Sequence, residues 1–471
     1  MNTSLTAAHI KQAFGDANDI TFTDILVSGN KDIPATLIYV QGMVNSDMVN
    51  AYILKPLNRS PLLADCKTSA QAIETINTGA VYHLSRKTSD APGEVIDDIL
   101  SGYTAVVFDD IKQAVLFETK GFERRSIAEP TEENVLKGPK DAFIEALRVN
   151  TALIRRRIKS ASLRVVEQDI GSEATTAVSI IYLDGVAEPE LVKRILKQVQ
   201  NIKLDMVKAT NSVEEQIIDH KYSLFPQMVY TERPDKLCAN ILEGKVGLLI
   251  DGYPVAYILP SVFNMFFQSP EDYSKNYIHG SLMRTLRYTA AFVSLILPAF
   301  YISITGFHQE LIPTQLLLSI IMSKLSVPFS SILEVIFILV AFEILLEAGV
   351  RMPRSIGQAV SIVGGLVIGD AAVNAKFVSP AVVVVIAITA ICGLITPNQD
   401  LTNSFNIIRL LLVFCAGFAG LYGLFLGTVG ILYYLCTLTS FGVPIMQTYK
   451  SKNGGMLLKD GIFRIPSKYK E

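Results

Sequence analysis

The chain has 471 residues, and half of them are hydrophobic. Its 42 basic and 44 acidic residues give a formal net charge of −2, so no basic field predicts a nucleic-acid partner. Histidine, cysteine and acidic residues fall at no catalytic or metal-ligand spacing, so the sequence predicts neither an enzyme nor a bound metal or cofactor. Charges are ordinary up to about Tyr277 and scarce from Tyr288 to Leu438. This shift predicts a soluble N-terminal half followed by an α-helical transmembrane domain.

The soluble half contains two pairs of similar strings, in the same order and at nearly the same offset. The first pair is IYVQGMVNSDMVNAYILK at 38–55 and IYLDGVAEPELVKRILK at 181–197. The second pair is PGEVIDDILSGYTAVVFD at 92–109 and PDKLCANILEGKVGLLID at 234–251. Chance similarity of short apolar runs is the alternative, but two ordered matches favour an internal duplication.

Each copy has the pattern of a small α/β unit. An apolar, β-rich run ends at Gly42 in one copy and at Gly185 in the other, and a segment of helical period follows. A Pro-started helix and a second β-rich run come later. We therefore predict two similar tandem α/β subdomains. The predicted domains are a first subdomain at 1–125, a linker helix with the second subdomain at 126–255, a helical membrane domain of four to six segments at 256–445, and a cytoplasmic tail at 446–471.

A helix is predicted between the two copies, from about Asp141 to Lys159, with a basic end at Arg155, Arg156 and Arg157. Such a run is typical of a solvated helix end, where cations meet the negative pole of the helix dipole. Binding of a phosphate or a lipid headgroup is the alternative.

The first predicted membrane span is the uncharged stretch from Tyr288 to Phe307, which is long enough to cross about 30 Å of hydrocarbon. The preceding string SVFNMFFQSPEDY carries aromatic residues suited to an interfacial helix. Arg284 and Arg287 flank the start of the span and predict that this end is cytoplasmic.

Further apolar runs follow this span. Residues 314–325 are a short run containing Lys324, which we predict to be interfacial or re-entrant. The second span is predicted at 330–348 and the third at 378–395. The last run, 410–438, is longer than one crossing needs and predicts either one tilted helix or a tight hairpin at its Gly-rich centre. Four crossings would place both ends on the cytoplasmic side, and five or six stay open.

The weakly hydrophobic segment 356–372 is rich in small residues, which let helices approach closely within a membrane. Around a symmetry axis it would line a channel with an apolar gate, and ordinary close helix packing is the alternative. The pore and gate candidates are Gly357, Gln358, Val360, Ser361, Val363, Gly364 and Val367. The charged candidates in or beside the spans are Glu334, Glu343, Glu347, Arg351 and Arg354. An unpaired carboxylate in lipid costs about 3 kcal/mol or more, so Glu343 is predicted to face a subunit interface, a partner charge or water.

Several long strings resemble those of the spore germination receptor A-subunit family (GerA type). They are GFERRSIAEP, ALRVNTALIRRRI, FPQMVYTERPD, GLLIDGYPVAYILPSVFNMFFQSPEDY and FEILLEAGVRMPRSIGQAVSIVGGLVIGDAAV. The resemblance runs from about residue 20 to Pro444, with Ser274 as one small departure after the PEDY string.

The resemblance implies an integral subunit of a nutrient receptor in the inner membrane of bacterial endospores. It further implies a homopentameric ion channel that releases cations to start germination, working with a transporter-like B subunit and a lipoprotein C subunit. Two alternatives stay open: a secondary transporter, and an accessory channel or scaffold of the same family that amplifies germination. The membrane half shows no paired repeat, which disfavours a transporter, and charges inside its spans disfavour a passive anchor.

Overall fold

The computed structural model describes residues 4–81, 85–121, 130, 133, 135, 137–351, 353, 369–446, 461 and 463–464. Within this part of the chain, two five-stranded sheets precede a helical half, and a two-stranded ribbon follows its last helix.

The first α/β unit is a five-stranded sheet with helices on both faces. Its strands are β1 (Ile20–Leu26), β2 (Pro34–Val40), β3 (Arg86–Ser89), β4 (Tyr103–Phe108) and β5 (Gln113–Glu118). Their order is β1-β2-β4-β5-β3, and every neighbouring pair is antiparallel. Its helices are α1 (Ala7–Phe14), α2 (Ser46–Met48), α3 (Lys55–Arg59), α4 (Pro61–Ala64), α5 (Ser69–Thr75) and α6 (Pro92–Ile99). Short 3₁₀ or π-helical turns lie at Val27–Gly29, Val49–Leu54 and Ile76–Ala80. One core cluster packs α3 to α5 on one face, and another packs α1 and α6 on the other.

The second α/β unit repeats this topology. Its strands are β6 (Leu163–Ile170), β7 (Thr176–Leu183), β8 (Val229–Thr231), β9 (Val246–Ile250) and β10 (Ala256–Leu259). Their order is β6-β7-β9-β10-β8, again antiparallel throughout. Its helices are α7 (Leu147–Arg157), α8 (Pro189–Gln200), α9 (Thr210–Ile217) and α10 (Pro234–Leu242).

The matched residues of the two copies occupy equivalent places. Gly42 follows the second strand of its unit with φ +75°, and Gly185 follows the second strand of the other with φ +82°. Glycine suits both turns because side chains disfavour positive φ. The Pro-started helices α6 and α10 likewise both precede the fourth strand of their units. The prediction of two similar tandem α/β subdomains followed by a helical domain is therefore confirmed.

The aspartates that the two strings align cap equivalent helices. Asp109 Oδ1 accepts a 2.7 Å hydrogen bond from the amide of Ala7, the first residue of α1. Asp251 Oδ1 accepts a 3.1 Å bond from the amide of Leu147, the first residue of α7. The helix between the two sheets is thus the counterpart of α1.

Helix α7 begins later than the sequence predicted. Residues from Asp141 onward are not helical, because Phe143 donates its amide to Glu232 O (2.8 Å) and Asn150 bonds both backbone groups of Ile144. These contacts hold the segment in an extended conformation beside β8, and the helix starts at Leu147.

The basic end of α7 is not the solvated run that the sequence predicted. Arg155 is fully buried and forms a two-pronged ion pair with Asp19, at 2.7 Å and 2.9 Å. Arg156 and Arg157 both contact Asp141. Because Asp19 directly precedes β1, the Arg155 pair joins the second unit to the first.

The helical half contains two described helices that are long and apolar enough to cross a membrane, Tyr277–Gly306 and Gln399–Thr437. Its helices are α11 (Glu271–Ser274), α12 (Tyr277–Gly306), α13 (Thr314–Lys324), α14 (Ser331–Arg351), α15 (Pro380–Leu394) and α16 (Gln399–Thr437), with 3₁₀ turns at Phe263–Phe267 and Gln309–Leu311. The closing ribbon is β11 (Thr439–Ser440) and β12 (Val443–Pro444). The string SVFNMFFQSPEDY is not an interfacial helix, because Met265, Phe266 and Phe267 are buried in the core.

The last apolar run is a hairpin rather than one straight helix. Gly420 interrupts α16 with φ 58° and ψ −139°. A Cβ added at Gly423 would lie 2.1 Å from Cys415 O, and one at Gly427 would lie 2.8 Å from Leu412 Cδ2, so the two arms pack side by side. The tip of this hairpin meets Phe307, just past the end of α12.

The other end of the helical half is attached to the second α/β unit and to the tail. On the first arm of α16, Ser404 Oγ donates to Leu224 O, and after the second arm Ser440 Oγ donates to Gln227 O. Arg464 of the tail donates to the carbonyls of Asp272 and Lys275, next to the start of α12. The described part of the tail therefore lies at the same end of the helices as the α/β half.

Candidate functional site

A polar cavity of about 160 Å³ lies between α14, α15 and the first arm of α16. Its polar lining consists of Glu343, Glu347, Thr396, Gln399, Thr402, Asn403, Asn406 and Arg409. Charged and amide groups on membrane-spanning helices are costly, so such residues usually serve a function.

The α16 side of the polar cavity is a stripe of polar residues at helical spacing. Gln399, Asn403, Asn406 and Arg409 follow one another at intervals of three or four, which places them on one face of the helix. Asn406 Nδ2 donates to both oxygens of Glu343, at 3.1 Å and 3.2 Å. The stripe thus supplies a polar partner for the Glu343 carboxylate of α14.

Arg409 is the one cation on this stripe. Its guanidinium is buried, with Nε donating to Ser294 O (2.9 Å) and Nη2 donating to Ser294 Oγ (2.7 Å). It also interacts electrostatically with Glu343 across the polar cavity. Thr396 lies in the same wall, and its buried hydroxyl has no hydrogen-bond partner among the described residues. The cavity therefore combines opposite charges with hydroxyl and amide groups that can exchange one polar partner for another.

The remaining charged candidates, Glu334, Glu347 and Arg351, lie towards opposite ends of α14. Glu347 is exposed and pairs with Arg351 one turn later, at 2.6 Å. Glu334 is 1% exposed and lies at the end of α14 where that helix begins. Its Oε2 accepts a 2.7 Å bond from the Ser379 amide at the start of α15, and Lys324 Nζ is 3.4 Å from its Oε1.

The predicted pore and gate candidates follow α14 in the sequence. Gly357, Gln358, Val360, Ser361, Val363, Gly364 and Val367 lie outside the described residues, and so does Arg354. Glu334, Glu343, Glu347 and Arg351 all lie on α14, which leads into that segment.

Sequence reasoning missed Arg409, Asn406 and Thr396. The last apolar run was counted from Leu410, so the arginine immediately before it was not considered. The site could have been predicted from one pattern: polar residues recur every three or four positions from Gln399 onward, inside a long apolar helix.

The junction between the two halves contains a second charged cluster. Asp272 accepts from Arg284 Nε at 2.9 Å and from Arg287 Nη1 at 2.8 Å, and Arg284 is fully buried. The arginines that flank the first span are therefore partners of one carboxylate and do not extend freely into solvent.

A titratable group also lies where the second α/β unit meets α16. Burial raises the pKa of the Glu214 carboxyl on α9 to about 7, and the neighbouring Asp400 and Glu215 carboxylates reinforce the shift. Asp400 lies in the first turn of α16, so a change in the charge of Glu214 acts directly on this junction.

The chain thus combines a duplicated α/β half with a helix bundle that holds a polar cavity and two described helices long and apolar enough to cross a membrane. The model of the family "Bacillus/Clostridium GerA spore germination protein" matches residues 8–471. The chain belongs to this family of spore germination proteins, in agreement with the resemblance seen in its sequence.

Named relatives and one solved structure are similar to this chain. Spore germination protein KA of Bacillus subtilis (strain 168) is 36% identical over 98% of this chain and 84% of its own length. The uncharacterized membrane protein YfkQ of the same organism is 37% identical over 87% of this chain and 79% of its own length. The crystal structure of the N-terminal domain of the A subunit of the Bacillus megaterium spore germinant receptor GerK3 covers 55% of this chain and 98% of that domain, with 26% identity and a TM-score of 0.45.

Proposed function

We propose that this chain is the A subunit of a spore germinant receptor and forms a nutrient-gated channel that releases cations to start germination. The observation that carries the proposal is the polar cavity, with Glu343, Asn406 and Arg409 inside an otherwise apolar bundle. A subunit that only anchored the α/β half would need none of these groups, because each is costly in a membrane.

In this proposal the subunits form a homo-oligomer, a pentamer as the family resemblance implies. The carboxylate of Glu343 then recurs as a ring that attracts cations. The segment after α14 supplies the gate, with Val360, Val363 and Val367 as an apolar constriction that closes by dewetting. Gly357, Gln358, Ser361 and Gly364 let the segments crowd around the axis.

The proposed location is the inner membrane of the endospore, with the α/β half and the tail on the cytoplasmic side. The proposed partners are a transporter-like B subunit, which binds the nutrient, and a lipoprotein C subunit. The duplicated α/β half then transmits the binding signal, because it contacts both arms of the α16 hairpin.

The decisive experiment measures ion release from dormant spores that carry single variants of the subunit. Val360→Ala, Val363→Ala and Val367→Ala are expected to leak cations and to germinate without nutrient. The matched control is Val384→Ala, an exposed valine on α15. If all three constriction variants retain their ions and still need nutrient, this segment is not the gate.

The alternatives predict different flux behaviour and a different assembly. A secondary transporter would show flux that saturates and depends on a second solute, whereas the channel would show discrete conductance steps in a planar bilayer. An accessory channel or scaffold of the same family would leave nutrient specificity unchanged when deleted and would only slow germination. A monomeric mass for the purified chain in detergent would argue against the oligomeric channel.

A further inference from the structure

A second polar cluster lies in the helical half, at the end opposite the α/β units. It consists of Glu334 on α14, Tyr301 on α12 and Ser379 before α15, with Lys324 at the end of α13 beside it. These four residues are separate from the polar cavity, whose lining contains none of them.

Three oxygens of this cluster are shielded from solvent and lack a hydrogen bond among the described residues: Glu334 Oε1, Tyr301 Oη and Ser379 Oγ. Their residues are 1%, 6% and 0% exposed. Tyr301 interacts electrostatically with Glu334 and neighbours the Ser379 hydroxyl, although no bond of normal geometry joins the two hydroxyls. Buried oxygens without a hydrogen bond are rare and are usually satisfied by a bound water or ion, and Glu334 Oε1 has only the Lys324 ion pair.

The chemistry of the cluster favours one kind of ligand. All three atoms are hard oxygens, which prefer hard cations. They carry a single negative charge, whereas calcium sites usually gather several carboxylates and magnesium keeps much of its water. One carboxylate with two neutral hydroxyls suits an alkali cation such as K⁺, Na⁺ or Rb⁺.

The Lys324 ammonium is a positive charge that already lies beside Glu334. Its ammonium is 3.4 Å from Glu334 Oε1 and is bonded to Ser331 Oγ. It is carried by α13, a helix of 11 residues in which no residue is buried. Little packing therefore opposes withdrawal of Lys324 from the cluster.

We propose that Glu334, Tyr301 and Ser379 form an alkali-cation site and that the Lys324 ammonium competes with the metal ion for it. When the ion is bound, Lys324 leaves and α13 detaches from the start of α14. When the ion is absent, Lys324 fills the site and holds α13 in place. This proposal goes beyond channel function, because it concerns equilibrium binding by the chain itself.

Rubidium binding to the purified full-length chain tests the proposal directly. Equilibrium dialysis at constant ionic strength, with N-methyl-D-glucamine chloride replacing RbCl, gives the affinity for each variant. Lys324→Met removes the competing charge and is expected to tighten Rb⁺ binding at least tenfold. Glu334→Gln keeps an oxygen for the Ser379 amide but loses the charge, and is expected to abolish binding at this site.

Two further variants keep the test decisive if Glu334→Gln fails to fold. Tyr301→Phe removes one ligand oxygen and is expected to weaken Rb⁺ binding severalfold. Glu310→Gln removes an exposed carboxylate that lies before α13 and outside the polar cavity, and is expected to change nothing. Equal Rb⁺ affinity in the wild type, Lys324→Met and Tyr301→Phe would overturn the site.

Hydrogen exchange of α13 tests the competition separately. Saturating Rb⁺ is expected to speed exchange across Thr314–Lys324 in the wild type, because Lys324 is displaced. In Glu334→Gln the same addition is expected to have no effect. Unchanged exchange of α13 in the wild type at saturating Rb⁺ would overturn the competition.

Discussion

The two α/β units share one topology but differ in what they contact. The second unit touches the helical half through Leu224, Gln227 and Arg194, the last of which donates to Phe441 O at 2.8 Å. The residue that matches Arg194 in the first copy is Tyr52, which is 53% exposed. At this position the second copy is thus attached to the helical half, whereas the first copy has an exposed side chain.

The first unit is connected to the second through α7 and the loop before β1. Asn18 donates its amide to Val165 O of β6 at 2.8 Å, and Asp19 binds Arg155. These contacts attach the first unit to the second. The following predictions test this difference, in order of decreasing expected effect.

Removing one partner of the Asp19–Arg155 pair should have the largest effect. Arg155→Ala leaves Asp19 buried without its cation, which typically costs about 3–5 kcal/mol of unfolding free energy. Denaturant unfolding of the full-length chain in detergent measures the loss. The matched control is Lys193→Ala, which breaks the exposed Lys193–Glu190 pair and should cost less than about 1 kcal/mol. Equal losses in the two variants would show that the pair does not join the units.

Glu214 should make the junction with α16 depend on pH. Its folded pKa of about 7 exceeds the usual value of 4.5, so the folded state takes up a proton first as pH falls. Stability should therefore rise as pH falls from about 8 to about 5, by up to roughly 3 kcal/mol. Glu214→Gln should remove this dependence, and Glu215→Gln should keep most of it. Thermal unfolding at a series of pH values measures the slope, and a slope that persists in Glu214→Gln would contradict the assignment.

Loss of the Arg194 contact should loosen the closing ribbon. A hydrogen bond from a charged donor contributes about 1.5–3 kcal/mol, so Arg194→Ala should raise hydrogen exchange across Thr439–Pro444 by roughly tenfold or more. The equivalent change in the first unit, Tyr52→Ala, should leave the ribbon unchanged. A similar effect of both variants would mean that the two copies contact the helical half alike.

The repeated topology was predictable because its signals are local. The strings around Gly42 and Gly185 carry the strand, the turn and the helix that follows within a few residues. Because the same strings recur in the same order, one α/β pattern had to form twice. The outlines of the apolar spans were predictable for the same reason, since hydropathy is read from consecutive residues.

The contacts that connect these parts were not predictable, because they join residues far apart in sequence. Arg155 looked like a solvated charge, since its partner Asp19 lies 136 residues earlier. Arg409 was not singled out, since Ser294 and Glu343 reach it only after the helices pack. Glu343 was singled out from the sequence, because a carboxylate inside an apolar run is visible without its partner, and its functional role stays a prediction.

The smallest expected difference between the units is the loss of stability when the Asp109 or the Asp251 cap is removed. Helix α1 has a cap of its own, because Thr6 Oγ1 accepts from the His9 amide. Helix α7 starts after Ala146, which has no side-chain cap, so Asp251 supplies the acceptor near the positive end of the helix dipole. Asp251→Ala should therefore cost about 1–2 kcal/mol, and Asp109→Ala about 0.5 kcal/mol. Hydrogen exchange in the first turn of each helix measures both losses in matched variants, and a larger loss at α1 would contradict this account of the caps.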